Sequence, residues 1–506
     1  MALKFYGLIK AHAQARPDHP AIIDGDAVVT YRELLEMVEA FAGALGTLNL
    51  NPDSKLGVLC MNQKEYLVAL LGALCKGVPF IPFNFMLTPD DLAFIADDAQ
   101  IDTLLVDSAF IKPANAAFFN RFKNRIFVAG EGTIESLGEG ALSFEEFLRR
   151  QNSPAHARNP VIPDVILYTS GTTARPKGVM LNESHFWANT GGAMEHVPFL
   201  KDDRVIMALP LFHSYGSIIA LIALRGGATL ILSRQFAPKG ILNNIAKYKA
   251  TILPLAPTIY SFLVDLYKRG GYDVSSLKYC VSGSAALPAA LLHEVENTLR
   301  VTVIEGYGLT ETSPVIAVNL FSRGSVPGSV GPVIPNVEIK IINEAGTPVK
   351  QGDVGEICVR GPSVMLGYWN RPNETRETLT ADGWLKTGDL GHLDKNNLLY
   401  ISGGRKKDII IRAGENVSPL AIENALLNHP AVAEAAAIGI AHPRAGEQVK
   451  ACVVLRQGAS ADEVELKNYC RKVLPAFMVP DIIKTYEALP KTATGKIIKS
   501  QCALLE

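Results

Sequence analysis

Four hydroxyls, two glycines and a lysine stand within ten residues at Thr169-Ser170-Gly171-Thr172-Thr173-Ala174-Arg175-Pro176-Lys177-Gly178. Glycine lets backbone N–H groups come close to an anion, hydroxyls donate further bonds, and lysine brings charge, so the stretch suits a polyphosphate. The spacing is not that of a Walker loop, which requires G-x-x-x-x-G-K-[ST]. A polar surface loop after a buried strand has a similar composition, so other residues must decide. Gly306-Tyr307-Gly308-Leu309-Thr310-Glu311 sets an aromatic ring between two glycines, ahead of a hydroxyl and a carboxylate. A tyrosine is more often core than ligand contact, but flanking glycines favour an open site of close approach.

The order of these residues carries more than their types. Thr169–Gly178 resembles the phosphate loop of the acyl-adenylate-forming (AMP-binding) superfamily, which includes acyl-CoA synthetases, adenylation domains of peptide synthetases and luciferases. Gly306–Glu311 resembles its second signature and Lys386-Thr387-Gly388-Asp389-Leu390 its third. Gly403-Gly404-Arg405-Lys406-Lys407-Asp408 resembles the hinge, and Pro490-Lys491-Thr492-Ala493-Thr494-Gly495-Lys496 the C-terminal lysine loop. The matches come in family order and span residues 168 to 496, and their pattern is of the acyl-CoA synthetase or fatty acid–CoA ligase type.

The resemblance implies a role for each residue. Thr169, Ser170, Gly171, Thr172, Thr173 and Lys177 would hold the ATP phosphates. Tyr307, between Gly306 and Gly308, would lie on adenine, with Gly283, Ser284 and Ala285 on the other side of the base. Thr310 would donate to the α-phosphate. Glu311 would take Mg²⁺, a hard cation suited to carboxylate and phosphate oxygen. Asp389 and Arg405 would meet the ribose. Lys496 would bridge the substrate carboxylate and the phosphates, a task in which position and charge do most of the work. One departure is Ala174, where the family usually has glycine; if φ is positive there, alanine costs roughly 1 kcal/mol or more.

The same resemblance bears on the two other substrates. In Leu209-Pro210-Leu211-Phe212-His213-Ser214-Tyr215-Gly216, His213 stands where amino-acid adenylation domains commonly carry Asp for the substrate ammonium. A buried ammonium without a carboxylate would be unpaired and costly. Amino acids are therefore disfavoured, and His213 would gate or line the acyl pocket, although a histidine beside an apolar segment is commonly structural. The pocket would draw on residues 186–190, 213–220, 281–285 and 315–318, among them Phe186, Trp187, Ile218, Ile219, Gly283, Ala285 and Ile316, with no Arg or Lys in these segments. At about 0.8 kcal/mol per buried CH₂, such a lining suits a medium- to long-chain fatty acid first and an aryl acid second. Gly414, in Arg412-Ala413-Gly414-Glu415-Asn416-Val417, matches the position where pantetheine passes close to backbone, so coenzyme A is the expected acceptor. A ligase delivering to an acyl carrier protein, and a silent relative that binds ATP or acyl chains, are the competing readings.

These groups need a scaffold, and the apolar pattern supplies one. At 506 residues the chain exceeds one core. Helical stretches at 31–45 and 64–75 alternate with short apolar runs at 56–59, 103–106, 165–168, 229–232 and 277–281, as in parallel sheets covered on both faces. From about 321 to 403 Gly/Pro-rich strands take over, including 337–342 and 355–359, as in a small β-subdomain. With the resemblance, the expectation is an α/β chain. A large N-terminal domain, 1–403, would hold two helix-covered, mostly parallel sheets and the β-subdomain. A hinge at 404–408, pivoting on Lys407, would lead to a small mobile α+β lid, 409–506. Within the lid one helix is expected behind Ser418-Pro419. Another is expected behind a capping box opening at Ser460, burying Val464, Tyr469, Cys470 and Val473.

Composition excludes other classes. Lys+Arg number 49 against 50 for Asp+Glu, so the chain lacks the basic field that nucleic acid or an anionic membrane calls for. Seven scattered cysteines at no metal-ligand spacing suit reduced thiols in the cytoplasm. The most apolar stretches, 66–75 and 217–233, are cut by Lys76 and Arg225, short of the roughly 20 apolar residues a span requires.

Overall fold

The computed structural model describes residues 3–505 apart from 113–114, 123–124, 131–136, 138–139, 151–161, 170–174, 235–236, 406–407, 413–414, 443–445 and 493–494. For residues 403–405, 411, 415, 416 and 446 it describes the backbone alone.

Two large sheets carry the first part of the chain. In one, six parallel strands run in the order Thr302–Gly308, Tyr279–Ser282, Ile252–Leu255, Arg204–Met207, Thr229–Leu232 and Pro20–Asp24. Val315–Val318 and Ala27–Thr30 close its edges antiparallel. In the other, Val165–Thr169, Phe80–Pro82, Leu56–Leu59, Thr103–Asp107, Ile126–Ala129 and Leu142–Ser143 run parallel. Lys177–Leu181 and Gly367–Tyr368 add antiparallel strands at one edge. The expected runs at 56–59 and 229–232 keep their bounds. The run at 277–281 starts later, at Tyr279, because the Leu277 N–H is spent on a turn to the Val274 carbonyl (3.0 Å).

The two apolar helices explain why the sheets stay together. Lys64–Lys76 and Ser214–Gly226 are buried on nearly every side, as a helix without a polar face must be. The largest core cluster joins both of them to strand residues of both sheets, among them Leu56, Val165, Val205 and Leu230. Two polar groups buried beside them are paired: Asn62 Nδ2 donates to the carbonyls of Met207 (3.0 Å) and Leu209 (2.8 Å), and the Tyr66 hydroxyl to that of Leu211 (2.9 Å). Among the described residues no helix is long and apolar enough to cross a membrane.

A third, antiparallel sheet runs Gly331–Pro332, Leu398–Arg405, Leu385–Leu393, Gly355–Arg360 and Glu338–Ile342. This region is less purely β than its composition suggests. Helix Pro372–Thr378 interrupts it, with proline at its first turn, and Gly367–Tyr368 leaves it to join the second large sheet. The fourth sheet pairs Glu415–Val417, Ile410–Arg412, Gly446–Leu455 and Val432–His442, with Ile482–Thr485 parallel along Gly446–Leu455. Ser418 caps helix Pro419–Leu427 as expected, accepting from the Ala421 N–H (3.2 Å). Helix Glu463–Val473 differs from expectation: Asp462, not Ser460, is its cap, accepting from Glu465 N–H at 2.7 Å. Its buried face is Leu466 and Cys470, one turn apart, whereas Val464 and Val473 are 64% and 53% exposed. That face follows from the 3.6-residue period, which sets Leu466 and Cys470 together at i and i+4.

Candidate functional site

Members of three signature stretches, the phosphate loop, the second signature and the lysine loop, meet at one cavity of about 520 Å³, and Lys386, Thr387 and Gly388 of the third line a separate pocket that shares Leu309, Glu311 and Tyr368 with it. The ends of the phosphate loop are fixed by the sheet: Thr169 closes one strand, Lys177 opens the next, and the two are antiparallel partners. Both line the cavity, and the Thr169 hydroxyl lies 3.4 Å from the Lys177 carbonyl. Ser170, Gly171, Thr172 and Thr173, with Ala174, lie outside the described residues.

Gly306, Tyr307 and Gly308 end the strand Thr302–Gly308 and line the same cavity, with Thr310 and Glu311 in the short turn that follows. Gly308 is required by space, since a Cβ there would lie 2.0 Å from the Pro314 carbonyl oxygen. The Tyr307 hydroxyl donates to Asp389 Oδ2 (2.6 Å), and the Asp389 N–H to Thr387 Oγ1 (3.1 Å). Asp389 and Arg405 are antiparallel partners, which sets the third signature beside the hinge strand; the Arg405 side chain is outside the description. Thr310 Oγ1 donates to Ser214 Oγ (3.1 Å). Glu311 Oε1 accepts from the Tyr368 hydroxyl (2.8 Å). Gly283 and Ser284 line the cavity, while Ala285 is not among the lining residues.

Lys496 reaches this cavity from the far end of the chain. The Thr258 hydroxyl donates to the Gly495 carbonyl (3.2 Å), which docks the lysine loop on the helix Pro257–Lys268. His213 is the cap of helix Ser214–Gly226, its Nδ1 accepting from the Tyr215 N–H (3.2 Å). A ring whose Nδ1 accepts carries its proton on Nε2. Burial, and then the charge of Lys496, push its pKa down to about 4, so at neutral pH it is an uncharged donor. Its ring retains some exposure, through the cavity that it lines. The N-terminus of its helix borders the cavity as well, which favours negative charge there.

Away from these groups the wall turns apolar. Along the helix, Ser214, Ile218, Ile219 and Ile222 line the cavity in succession, roughly 12 Å from first to last at 1.5 Å per residue. Ala193, Val197, Phe199, Val281 and Val318 complete this part. Of the residues named for the lining, four do not reach it: Phe186 and Ile316 are in the core, Ala285 is off the wall, and Trp187 packs against other groups. Trp187 meets Phe5 edge-on (centroids 5.4 Å) and the Arg225 guanidinium (3.9 Å). Sequence reasoning missed Ala193, Val197, Phe199 and Ile222, and it missed Tyr368 at the polar end. The cations lining the cavity among the described residues are Lys177 and Lys496. No described group of His, Cys, Asp and Glu could hold a metal by itself. Lys407 and Gly414 lie outside the described residues.

Known proteins share the sequence family and the overall fold. Residues 9–369 match the AMP-binding enzyme family and residues 421–496 the AMP-binding enzyme C-terminal domain. The long-chain-fatty-acid–CoA ligase of Bacillus subtilis is 33% identical, covering 96% of this chain and 91% of that one. The sulfoacetate–CoA ligase of Cupriavidus necator is 32% identical, covering 97% and 95%. The indoleacetate–CoA ligase of Aromatoleum aromaticum is also 32% identical, covering 97% and 96%. Among solved structures, the anthranilate CoA ligase AuaEII with anthranoyl-AMP superposes at a TM-score of 0.90, with 26% identity over 98% of this chain and 96% of that one. ATP-bound MatB from Rhodopseudomonas palustris superposes at 0.87, with 28% identity over 99% and 98%.

Proposed function

The chain belongs to the AMP-binding enzyme family and is an acid–thiol ligase acting through an acyl-AMP; from that premise we propose that its acid is an apolar monocarboxylate, a medium- to long-chain fatty acid first and an aryl acid second. One observation carries the choice: the cavity wall beyond His213 is aliphatic and aromatic, and its described cations, Lys177 and Lys496, sit with the signature residues. Relatives of nearly equal identity bear names of fatty, aryl and sulfonated acids, so overall likeness leaves the acid open. A second anionic group at the apolar end would be buried without a partner, which is expensive.

In the first step a carboxylate oxygen attacks the α-phosphorus of ATP. The new O–P bond forms as the bond to the β-phosphate bridge breaks and pyrophosphate leaves. Such a displacement needs position and charge rather than covalent help. Lys496 supplies the charge between carboxylate and phosphates, Lys177 holds the outer phosphates, and the Thr310 hydroxyl donates to the α-phosphate. Tyr307 takes the adenine face, and Asp389 with Arg405 the ribose. The neutral His213 donates from Nε2 towards the acyl carboxylate without placing a second cation beside Lys496. In the second step the coenzyme A thiolate attacks the acyl carbonyl, the thioester bond forms, and AMP departs; Gly414 lets pantetheine pass.

The residues present fit Mg²⁺ brought in with ATP. Glu311 offers a hard carboxylate whose Oε1 is already held by Tyr368, and Mg²⁺ usually takes one or two carboxylates and fills its other positions with phosphate and water. Bound there, the ion would neutralise the phosphates as pyrophosphate leaves.

Acid-dependent ATP–pyrophosphate exchange and thioester formation, run over a panel from acetate to palmitate with benzoate, indoleacetate, malonate, sulfoacetate and an α-amino acid, test the assignment. Octanoate to palmitate or an aryl acid should lead in kcat/KM. A dicarboxylate, sulfonate or amino acid in first place would sink it.

A further inference from the structure

We propose that Tyr368 is a positioning residue for adenylate formation, its phenol orienting the Glu311 carboxylate and its ring seating the Lys177 ammonium. The inference rests on the reading above that Glu311 takes Mg²⁺ with ATP. Tyr368 lies outside the signature stretches, yet it lines the cavity and touches members of two of them. Its hydroxyl donates to Glu311 Oε1 at 2.8 Å, and Lys177 Nζ lies 5.5 Å from its ring centroid. The face of a tyrosine ring attracts a cation while the hydroxyl donates to an anion, so one side chain holds both charges in place.

The backbone gives Tyr368 little freedom. Tyr368 is the sheet partner of Val179, two residues after Lys177. Its N–H donates to Thr375 Oγ1 (2.9 Å), and the Trp369 N–H to the Gly178 carbonyl (2.7 Å). Behind it, Trp369 Nε1 donates to the Asp98 carbonyl (2.9 Å), and Arg371 pairs with the Asp98 carboxylate (3.5 Å). The other oxygen of that carboxylate accepts from the hydroxyl of Tyr168, the residue before Thr169 (2.6 Å). Asp98 thus fixes Tyr368 and the start of the phosphate loop to one point. A carboxylate held at one oxygen presents the other in a set direction, and a loose one must be ordered when the ion arrives.

Tyr368→Phe keeps the ring and its packing and removes only the donor. The test uses the full chain and two probes: Mn²⁺ binding in the presence of a non-hydrolysable ATP analogue, followed by electron paramagnetic resonance, and the Mg²⁺ dependence of ATP–pyrophosphate exchange. Loss of such an outer partner weakens metal binding by about ten- to hundredfold, so the Mn²⁺ Kd and the half-saturating Mg²⁺ should rise by that factor. KM for the acid and thioester formation from supplied acyl-AMP should stay at wild-type values. In a Glu311→Gln background, Tyr368→Phe should add nothing further. An unchanged Mn²⁺ Kd, an additive double variant, or equal loss of both half-reactions overturns the proposal. Should Tyr368→Phe fail to fold, Tyr368→His, a ring that retains a donor, replaces it; Mn²⁺ binding near wild type there supports the donor role, and a hundredfold loss overturns it. Wild-type enzyme without acid-dependent exchange would instead refute the ligase reading itself.

Discussion

Lys496 and His213 line the same cavity, and the charge of the first acts on the second. The buried imidazole stays neutral because burial and the neighbouring ammonium both oppose its protonation. Lys496→Ala should therefore abolish adenylation while sparing thioester formation from supplied acyl-AMP. Removal of one preorganised charge contact costs on the order of 10²–10³ in rate, and equal loss in both half-reactions would contradict the role. His213 carries a pH signature. Its folded pKa of about 4 lies below the ordinary 6.5, so between those values the unfolded chain binds more protons and stability falls as pH falls. His213→Asn retains a capping acceptor for the Tyr215 N–H and does not titrate. Urea midpoints of wild type should drop relative to this variant between about pH 6.5 and about pH 4; parallel curves would show that His213 charges freely.

At the scale of elements, caps decide where helices begin. Asp462 accepts from Glu465 N–H, and the helix that follows buries Leu466 and Cys470. Asp462→Ala should cost about 1 kcal/mol in urea unfolding, and Ser460→Ala a few tenths at most. The reverse ranking would return the cap to Ser460. The same logic places His213: as cap of a helix buried on nearly all sides, it sits where the first turn meets the cavity. The turn after Gly308 is equally constrained, since a side chain at 308 would overlap the Pro314 carbonyl.

At the scale of the whole molecule, two units share one active site. Lys496 is held in the cavity by Thr258 to Gly495, and nearby Arg456 pairs with Glu294 (3.4 Å) and Arg269 with Gln457 (2.6 Å). On the role proposed for Lys496, this arrangement serves adenylation. Gly414, proposed to serve coenzyme A, comes after residue 408 in the chain, as Lys496 does. We propose that the segment after residue 408 rotates on a hinge at 404–408 between the steps, with Lys407 as pivot. Proline fixes φ near −65°, so Lys407→Pro should still exchange pyrophosphate while thioester production falls by orders of magnitude. Lys407→Ala, with its backbone free, should stay near normal. A complete reaction at wild-type rate in Lys407→Pro would refute alternation at this residue.

The sequence by itself determined the chemistry and the local elements. Signature order alone identified Thr169, Lys177, Tyr307, Thr310, Glu311 and Lys496, and the structure brings these to one cavity. Strands at 56–59 and 229–232 and the cap at Ser418 were equally legible, because dihedral preference, capping and apolar periodicity act over a few residues. What the tertiary structure decided is which side chains share a space. Phe186 and Trp187 are as apolar as Ala193 and Val197 on or just after the same helix. Only the packing of Phe5 and Arg225 on Trp187, and of the core on Phe186, turns the first two away from the cavity. Tyr368 meets Glu311 across 57 residues of chain because a two-residue strand joins the edge of a distant sheet. No local pattern encodes such a meeting, since sheet order rather than spacing in the chain sets which edge a strand reaches.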